Sequence, residues 1–214
     1  MHVESVTQHL WRVLKILSSI PELQPFRLVG GTALSLQIGH RKSIDIDLFP
    51  NEKTDNQRIR SAINKEFKTA IVNVKENSLS AELDGVKVDI YDDWHIPFKT
   101  PPITYNNIKM ASLHDIAAFK LSAITNRRHK KDYIDLYFLF NILGMNEVLN
   151  DFKKYEPLMS ERSIIFALAQ SRVAQENKSQ MPDMIMAVNW DQINTEMMKA
   201  SRLQMELAKR KEIN

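Results

Sequence analysis

The chain has 214 residues, enough for one large domain or two small ones sharing an interface. Its 43% hydrophobic and 26% charged residues are ordinary globular composition, and the absence of cysteine excludes disulfides and thiolate metal sites. A net charge of +3 and a pI near 9.0 are compatible with an RNA partner without being diagnostic of one.

Val3, Val6, Leu10, Val13, Leu14 and Leu17 recur at helical spacing, which predicts an amphipathic helix over about 3–20 ended by Pro21. This start lacks the basic region and small-residue cleavage site of a secretory signal. No apolar run approaches the roughly 20 residues of a membrane span. Together with the cysteine-free composition, these features make a cytoplasmic protein without a membrane partner the expectation.

Phe26 to Val29 is a short apolar run that predicts a strand, and it ends in Gly30-Gly31. A helix-compatible segment, Thr32 to Ile38, follows, and then a basic turn, Gly39-His40-Arg41-Lys42. After Ser43 the chain alternates, with Ile44, Ile46 and Leu48 on one side and Asp45 and Asp47 on the other. That period predicts a half-buried strand whose two carboxylates leave one face about 7 Å apart. Like charges aimed the same way repel, and a divalent cation is the usual reason to tolerate them. Magnesium takes one or two carboxylates and completes its shell with water and substrate phosphate. Without Cβ atoms, Gly30 and Gly31 let backbone N–H groups approach a ligand closely. The helix beginning at Thr32 offers its N-terminus to a phosphate. Strand, Gly-Gly, helix and Asp-x-Asp strand together suggest a metal–nucleoside triphosphate site. The plain alternative is a tight turn and a strand edge bearing two solvated aspartates.

Thr54 is a candidate cap for a helix to about Phe67, with Ile59, Ile63 and Phe67 buried. Ala70 to Val74 reads as a strand. Asp84-Gly85 between two alternating runs is a hairpin signal. In its second arm Val86, Val88 and Ile90 share one face while Asp89 lies on the other, a third acid that is either a surface residue or a further metal ligand or base. Asp92 and Asp93 look like turn residues. Pro97, Pro101 and Pro102 mark a linker, after which the pattern reads as helical to the end. The expected division is a catalytic domain over 1–100 and a helical domain over 101–214 that completes the active site.

Ser112 is placed to cap a helix whose stripe is Leu113, Ile116, Ala117, Lys120 and Ile124. Lys120 stands where an apolar residue belongs, so it either snorkels or meets the aspartates and a triphosphate. From Tyr133 to Leu143 the next helix is apolar nearly all round, which predicts burial. Asp132 and Asp135 share one of its faces and need cationic partners, in a structural ion pair or at the site. Gly144 closes that helix. Further helices are expected over Glu147–Tyr155, Arg162–Val173, Met184–Trp190 and Asn194–Lys211, with AKRKEIN as a solvated tail. The histidines show no ligand spacing and none is assigned to a metal. His40 and His129 are the two that could touch substrate.

Gly-Gly, a short helix and Asp-x-Asp resemble the first motif of polymerase-beta-type nucleotidyltransferases. The strings GGTALSLQIGHRKSIDIDLF and DIAAFKLSAITNRRHKKDYIDLYFL, with VDIY between them, resemble the AbiEii/AbiGii-type toxins of that superfamily over roughly residues 26–140. The resemblance implies an α+β fold, a mixed nucleotidyltransferase-like sheet with flanking helices followed by a C-terminal helical bundle. It implies nucleotide binding by Gly30, Gly31 and Ser43, with magnesium on Asp45 and Asp47, phosphates held by Lys120, and Asp132 as the later aspartate; Thr32, which follows the glycines, is a further nucleotide-binding candidate. Asp89 matches the superfamily's third acid. Lys131 stands where arginine is common, a departure that keeps the charge. Family members include toxins that add nucleotides to tRNA acceptor ends and are paired with a separate antitoxin.

The expected reaction is therefore transfer of a nucleoside monophosphate from an NTP to an acceptor hydroxyl, with a tRNA 3′ end as first candidate. Asp45, Asp47 and Asp89 would hold one or two Mg²⁺ ions, Lys120 and Arg41 would neutralise phosphates, and Asp89 or Asp132 would help activate the acceptor. The alternatives are nucleotidyl or phosphoryl transfer to a protein or small molecule, and a non-catalytic binding module on the same fold.

Overall fold

In the computed structural model, residues 1–68, 71–75, 78–91 and 96–213 are described. Ala70, Asp92 and Asp93 lie outside them. The chain divides into two compact units, Met1–Ser112 and Leu113–Asn214.

The first unit is built on a mixed sheet. Its strands are β1 (Phe26–Leu28), β2 (Asp45–Pro50), β3 (Ile71–Lys75), β4 (Ser78–Leu83), β5 (Val86–Tyr91), β6 (Ile103–Tyr105) and β7 (Ile108–Met110). Their spatial order is β3-β4-β5-β2-β1-β7-β6. β2–β5 and β1–β7 are parallel pairs, and the remaining neighbours are antiparallel. The β4–β5 hairpin turns at Asp84-Gly85, both at positive φ (48° and 78°), as its two-residue loop requires.

The helices of this unit are α1 (Gln8–Ser19), α2 (Gly30–Ile38) and α3 (Asn56–Glu66). The Thr7 side chain accepts from the Leu10 N–H at 3.0 Å and starts α1, so the helix begins after a 3₁₀ turn at Val3–Ser5 rather than at residue 3. Leu14 and Leu17 of α1 gather with Leu28 and Leu48 around one small cavity. The apolar parity of β2 and β5 (Ile46, Leu48, Val88, Ile90) is buried, as the alternation demands. Asp45, Asp47 and Asp89 therefore occupy the other face of the sheet.

Several local expectations change. Ile44 precedes the strand instead of joining it and is 70% exposed. Asp55, not Thr54, caps α3: its carboxylate accepts from the Gln57 N–H at 2.8 Å and the Arg58 N–H at 3.3 Å. Beyond Pro102 the chain is not yet helical, because β6 and β7 form a hairpin through Asn106 and Asn107, both at positive φ. Asparagine tolerates that conformation through local hydrogen bonding, and two Asn make a weaker turn signal than Asp-Gly. Three-residue strands are too short for a period to show.

The second unit is helical: α4 (Leu113–Asn126), α5 (Lys130–Leu143), α6 (Met145–Tyr155), α7 (Glu161–Ala169), α8 (Ser171–Glu176) and α9 (Trp190–Ile213). α5 packs against α4, α6, α8 and α9. Tyr133 on α5 is fully buried, and its hydroxyl donates to the Ala167 carbonyl at 2.8 Å, tying α5 to the end of α7. Burial pushes that phenol up to about 12, so it stays a neutral donor. Gly144 at φ 88° ends α5 as expected. The all-round burial of that helix does not extend to its last turn, where Ile142 is exposed. The predicted helix over Arg162–Val173 is interrupted at Gln170, Met184 to Asn189 is not helical, and α9 runs on through the predicted tail to Ile213. Among the described residues, no helix is long and apolar enough to cross a membrane.

Candidate active site

Two parallel strands set the acids of the first unit. In the β2–β5 register Asp47 lies opposite Asp89 and Asp45 opposite Lys87. Adjacent strands run about 4.8 Å apart, so the Asp47 and Asp89 side chains leave one face as direct neighbours. All three aspartates are partly exposed. The loop above them is shaped by Gly30 (φ +66°), where a Cβ would fall 2.6 Å from Asp47 Oδ2. Glycine is what lets the Asp47 carboxylate rest directly against the start of α2. Val29, the residue before α2, makes no side-chain cap bond. Its own N–H donates to the Asp47 carbonyl at 2.9 Å and fixes β1 to β2 at this point.

The surrounding polar residues are buried. Thr32 shares a 2.8 Å hydrogen bond with the Ser43 hydroxyl and donates to the Asp45 carbonyl, locking the first turn of α2 to the start of β2. The Ser43 N–H donates to the Ser5 carbonyl at 3.0 Å. Arg41 is buried against Gly31, where a Cβ would sit 2.2 Å from its Nη2, and its Nη1 donates to the Lys42 carbonyl at 3.0 Å. His40 is fully buried. Thr32, Ser43 and Arg41 thus brace the glycine turn from within the unit.

Asp89 has two partners. Lys87 Nζ lies 2.7 Å from one oxygen, and the Ser80 hydroxyl donates to the other at 2.6 Å. Burial favours the neutral acid, but Lys87 and Ser80 outweigh it and hold the Asp89 carboxyl below the usual carboxylate range. The same contact raises the Lys87 ammonium above its ordinary value. Ser80 was not singled out from sequence, yet the hairpin arithmetic leads to it. Counting back from the Asp84-Gly85 turn pairs Leu83 with Val86 and so Ser80 with Asp89.

In the helical unit the predicted cation and acids also meet. Lys120, 5% exposed, sits 2.8 Å from Asp132 Oδ1 and 2.6 Å from Asp135 Oδ2. Arg127 completes the cluster, with Nε 2.8 Å from Asp132 Oδ2. Lys120 therefore does not snorkel. Burial alone would raise the Asp132 pKa, but Lys120 and Arg127 prevail and hold it below the ordinary carboxylate value. His129 is half-buried at the start of α5.

The sheet acids suit a hard divalent cation: oxygen donors only, partly open to solvent, against a helix start that admits no Cβ.

Comparison with known proteins agrees with this architecture. The profile of the family described as "Nucleotidyl transferase AbiEii toxin, Type IV TA system" matches residues 12–209. The chain is 34% identical over 149 residues to the uncharacterized protein aq_aa25 of Aquifex aeolicus (strain VF5), a match covering 67% of this chain and 69% of that one. Among solved structures it is similar to ANT(2″)-Ia in complex with adenylyl-2″-tobramycin, at 16% identity and a TM-score of 0.53, covering 71% of this chain and 98% of that chain. The Megavirus polyadenylate synthase matches at 14% identity and a TM-score of 0.48, over 81% of this chain and 45% of that chain. With a family match over nearly its whole length, the chain belongs to the AbiEii nucleotidyltransferase toxin family and is an enzyme of nucleotidyltransferase type.

Proposed function

We propose that the protein moves a nucleoside monophosphate from a magnesium-bound NTP to the 3′ hydroxyl of an RNA, with tRNA as first candidate, acting as the toxin of a pair with a separate antitoxin protein. The observation that carries this reading is the register of Asp47 with Asp89, on the same face as Asp45 and directly under the glycine start of α2.

Asp45 and Asp47, with Asp89 once Lys87 swings away, are the residues that would hold Mg²⁺. The metal when bound would neutralise phosphate charge and align the reacting oxygens. The first-turn N–H groups of α2 at Gly30 and Gly31 would cradle phosphate oxygens. Arg41 behind Gly31 would add positive potential there, while Thr32 and Ser43 keep the turn in shape. In the reaction the acceptor oxygen bonds to the α-phosphorus, the bond from that phosphorus to the bridging oxygen breaks, and pyrophosphate leaves. The acceptor proton passes to a carboxylate, for which Asp89 is the candidate in the sheet unit. Lys120 is the proposed residue for holding the triphosphate, with Asp132 keeping that lysine charged and aimed. Positioning and electrostatics are expected to supply most of the rate.

The test is label transfer from α-³²P-labelled NTPs, each offered to a tRNA pool, to protein and to small-molecule acceptors including aminoglycosides. Labelled tRNA, lost in Asp45→Ala, is the expected result. Wild-type rates in Asp45→Ala would refute the metal assignment. Label appearing only on a small molecule would refute the RNA acceptor, and label moving only from γ-³²P-ATP would make the enzyme a phosphoryl transferase.

A further inference from the structure

Among the described residues outside those discussed so far, one group of side chains brings metal-ligating atoms together. His114 lies in the first turn of α4, and Glu147 and Asp151 lie on α6, one helical turn apart and therefore on the same face. His114 Nε2 is 3.7 Å from Glu147 Oε1, and His114 Nδ1 is 3.7 Å from Asp151 Oδ2. One donor atom from each of the three can be chosen so that all lie within 4.8 Å of one another. An ion with ligands at about 2.0–2.1 Å in tetrahedral geometry holds neighbouring donors about 3.4 Å apart. A shift of one to one and a half ångströms, on the order of a side-chain torsion adjustment, would close the set.

We propose that His114, Glu147 and Asp151 form a second, surface metal site, selective for a borderline transition ion such as Zn²⁺ rather than for Mg²⁺. An imidazole with two carboxylates is a donor set for zinc, whereas magnesium takes oxygen ligands. The helices bearing these ligands are already fastened beside the cluster. Tyr155 on α6 donates to the buried Asp115 Oδ1 on α4 at 3.0 Å, and Ser122 on α4 donates to Glu156 just beyond α6 at 2.7 Å. Lys154 holds the other oxygen of Asp151 at 2.6 Å, which turns Oδ2 toward the imidazole. His114 and Asp151 are half-buried while Glu147 is exposed, so an ion can enter from solvent. Once bound, it clamps the first turn of α4, the helix that carries Lys120. The histidine stands more than thirty residues from either carboxylate, so no local spacing announced the site.

This proposal does not depend on the catalytic reading and is tested apart from it. Full-length protein carrying Asp45→Asn and Asp47→Asn, stripped with EDTA, is titrated with ZnCl₂ by calorimetry and with CoCl₂ by visible absorption. One tight equivalent of zinc and a cobalt d–d band are expected, both weakened about tenfold or more by His114→Ala and by Glu147→Gln. MgCl₂ should not compete. Absence of stoichiometric uptake, or uptake unchanged in both variants, overturns the proposal. Should His114→Ala fail to fold, Glu147→Gln, at an exposed position, decides alone.

Discussion

Acids appear in both units, and the two groups are handled in opposite ways. Asp45, Asp47 and Asp89 line one open face of a sheet, partly exposed, with two of them side by side in register. Asp132 and Asp135 are fully buried, and each is within 2.8 Å of the Lys120 ammonium. A buried carboxylate without a cation costs several kcal/mol, so Asp132 and Asp135 are each held by a cation, Lys120 on both and Arg127 on Asp132. The sheet acids stand side by side at a partly open surface, with Asp89 held by the exposed Lys87. The first arrangement suits holding a lysine charged, and the second suits receiving a cation.

The comparison breaks most visibly in the buried cluster. Removing one partner of a buried ion pair strands the other, at a cost of about 3–5 kcal/mol. Asp132→Asn should therefore lower the denaturation midpoint sharply, read by urea unfolding followed with circular dichroism. The acid limb sharpens this. Because the folded-state pKa of Asp132 is depressed, its contribution is present above the ordinary carboxylate value near 4 and is lost as pH falls through the folded value. Wild-type stability should thus decline below about pH 4, with a shallower decline in Asp132→Asn. An unchanged midpoint and an identical acid limb would show that the cluster is not holding the helices.

A smaller effect is expected at the glycine turn. Gly30→Ala places a side chain in the left-handed region, costing about 1–2 kcal/mol, and drives its Cβ toward Asp47 Oδ2. Stability should fall modestly while nucleotide binding, measured by equilibrium dialysis with labelled ATP, falls about tenfold or more as Asp47 is displaced. Equal binding by Gly30→Ala and wild type would separate the turn from the nucleotide.

Much of the sheet site was legible because its signals are local. Parity separated Asp45 and Asp47 from Ile46 and Leu48, and Asp84-Gly85 fixed the register that carries Asp89. The need of Asp132 and Asp135 for cations followed from their place on an apolar helix, and Lys120 was the residue out of pattern on the preceding one. Pairings that depend on packing were not legible. Ile44 follows the alternation but lies outside the strand, and the break at Gln170 interrupts a stretch whose periodicity is continuous. Asp55 took the cap from Thr54, adjacent and chemically equivalent for that purpose. The grouping of His114 with Glu147 and Asp151 required knowing which helix faces meet.

The central claim is that the sheet acids are held for a ligand rather than for the fold, and Asp47→Asn addresses it most directly. Binding of Mg²⁺–ATP and thermal unfolding should be measured on the same preparation. The account predicts that nucleotide binding is lost while the melting temperature stays level. A lower melting temperature with nucleotide binding intact would contradict it.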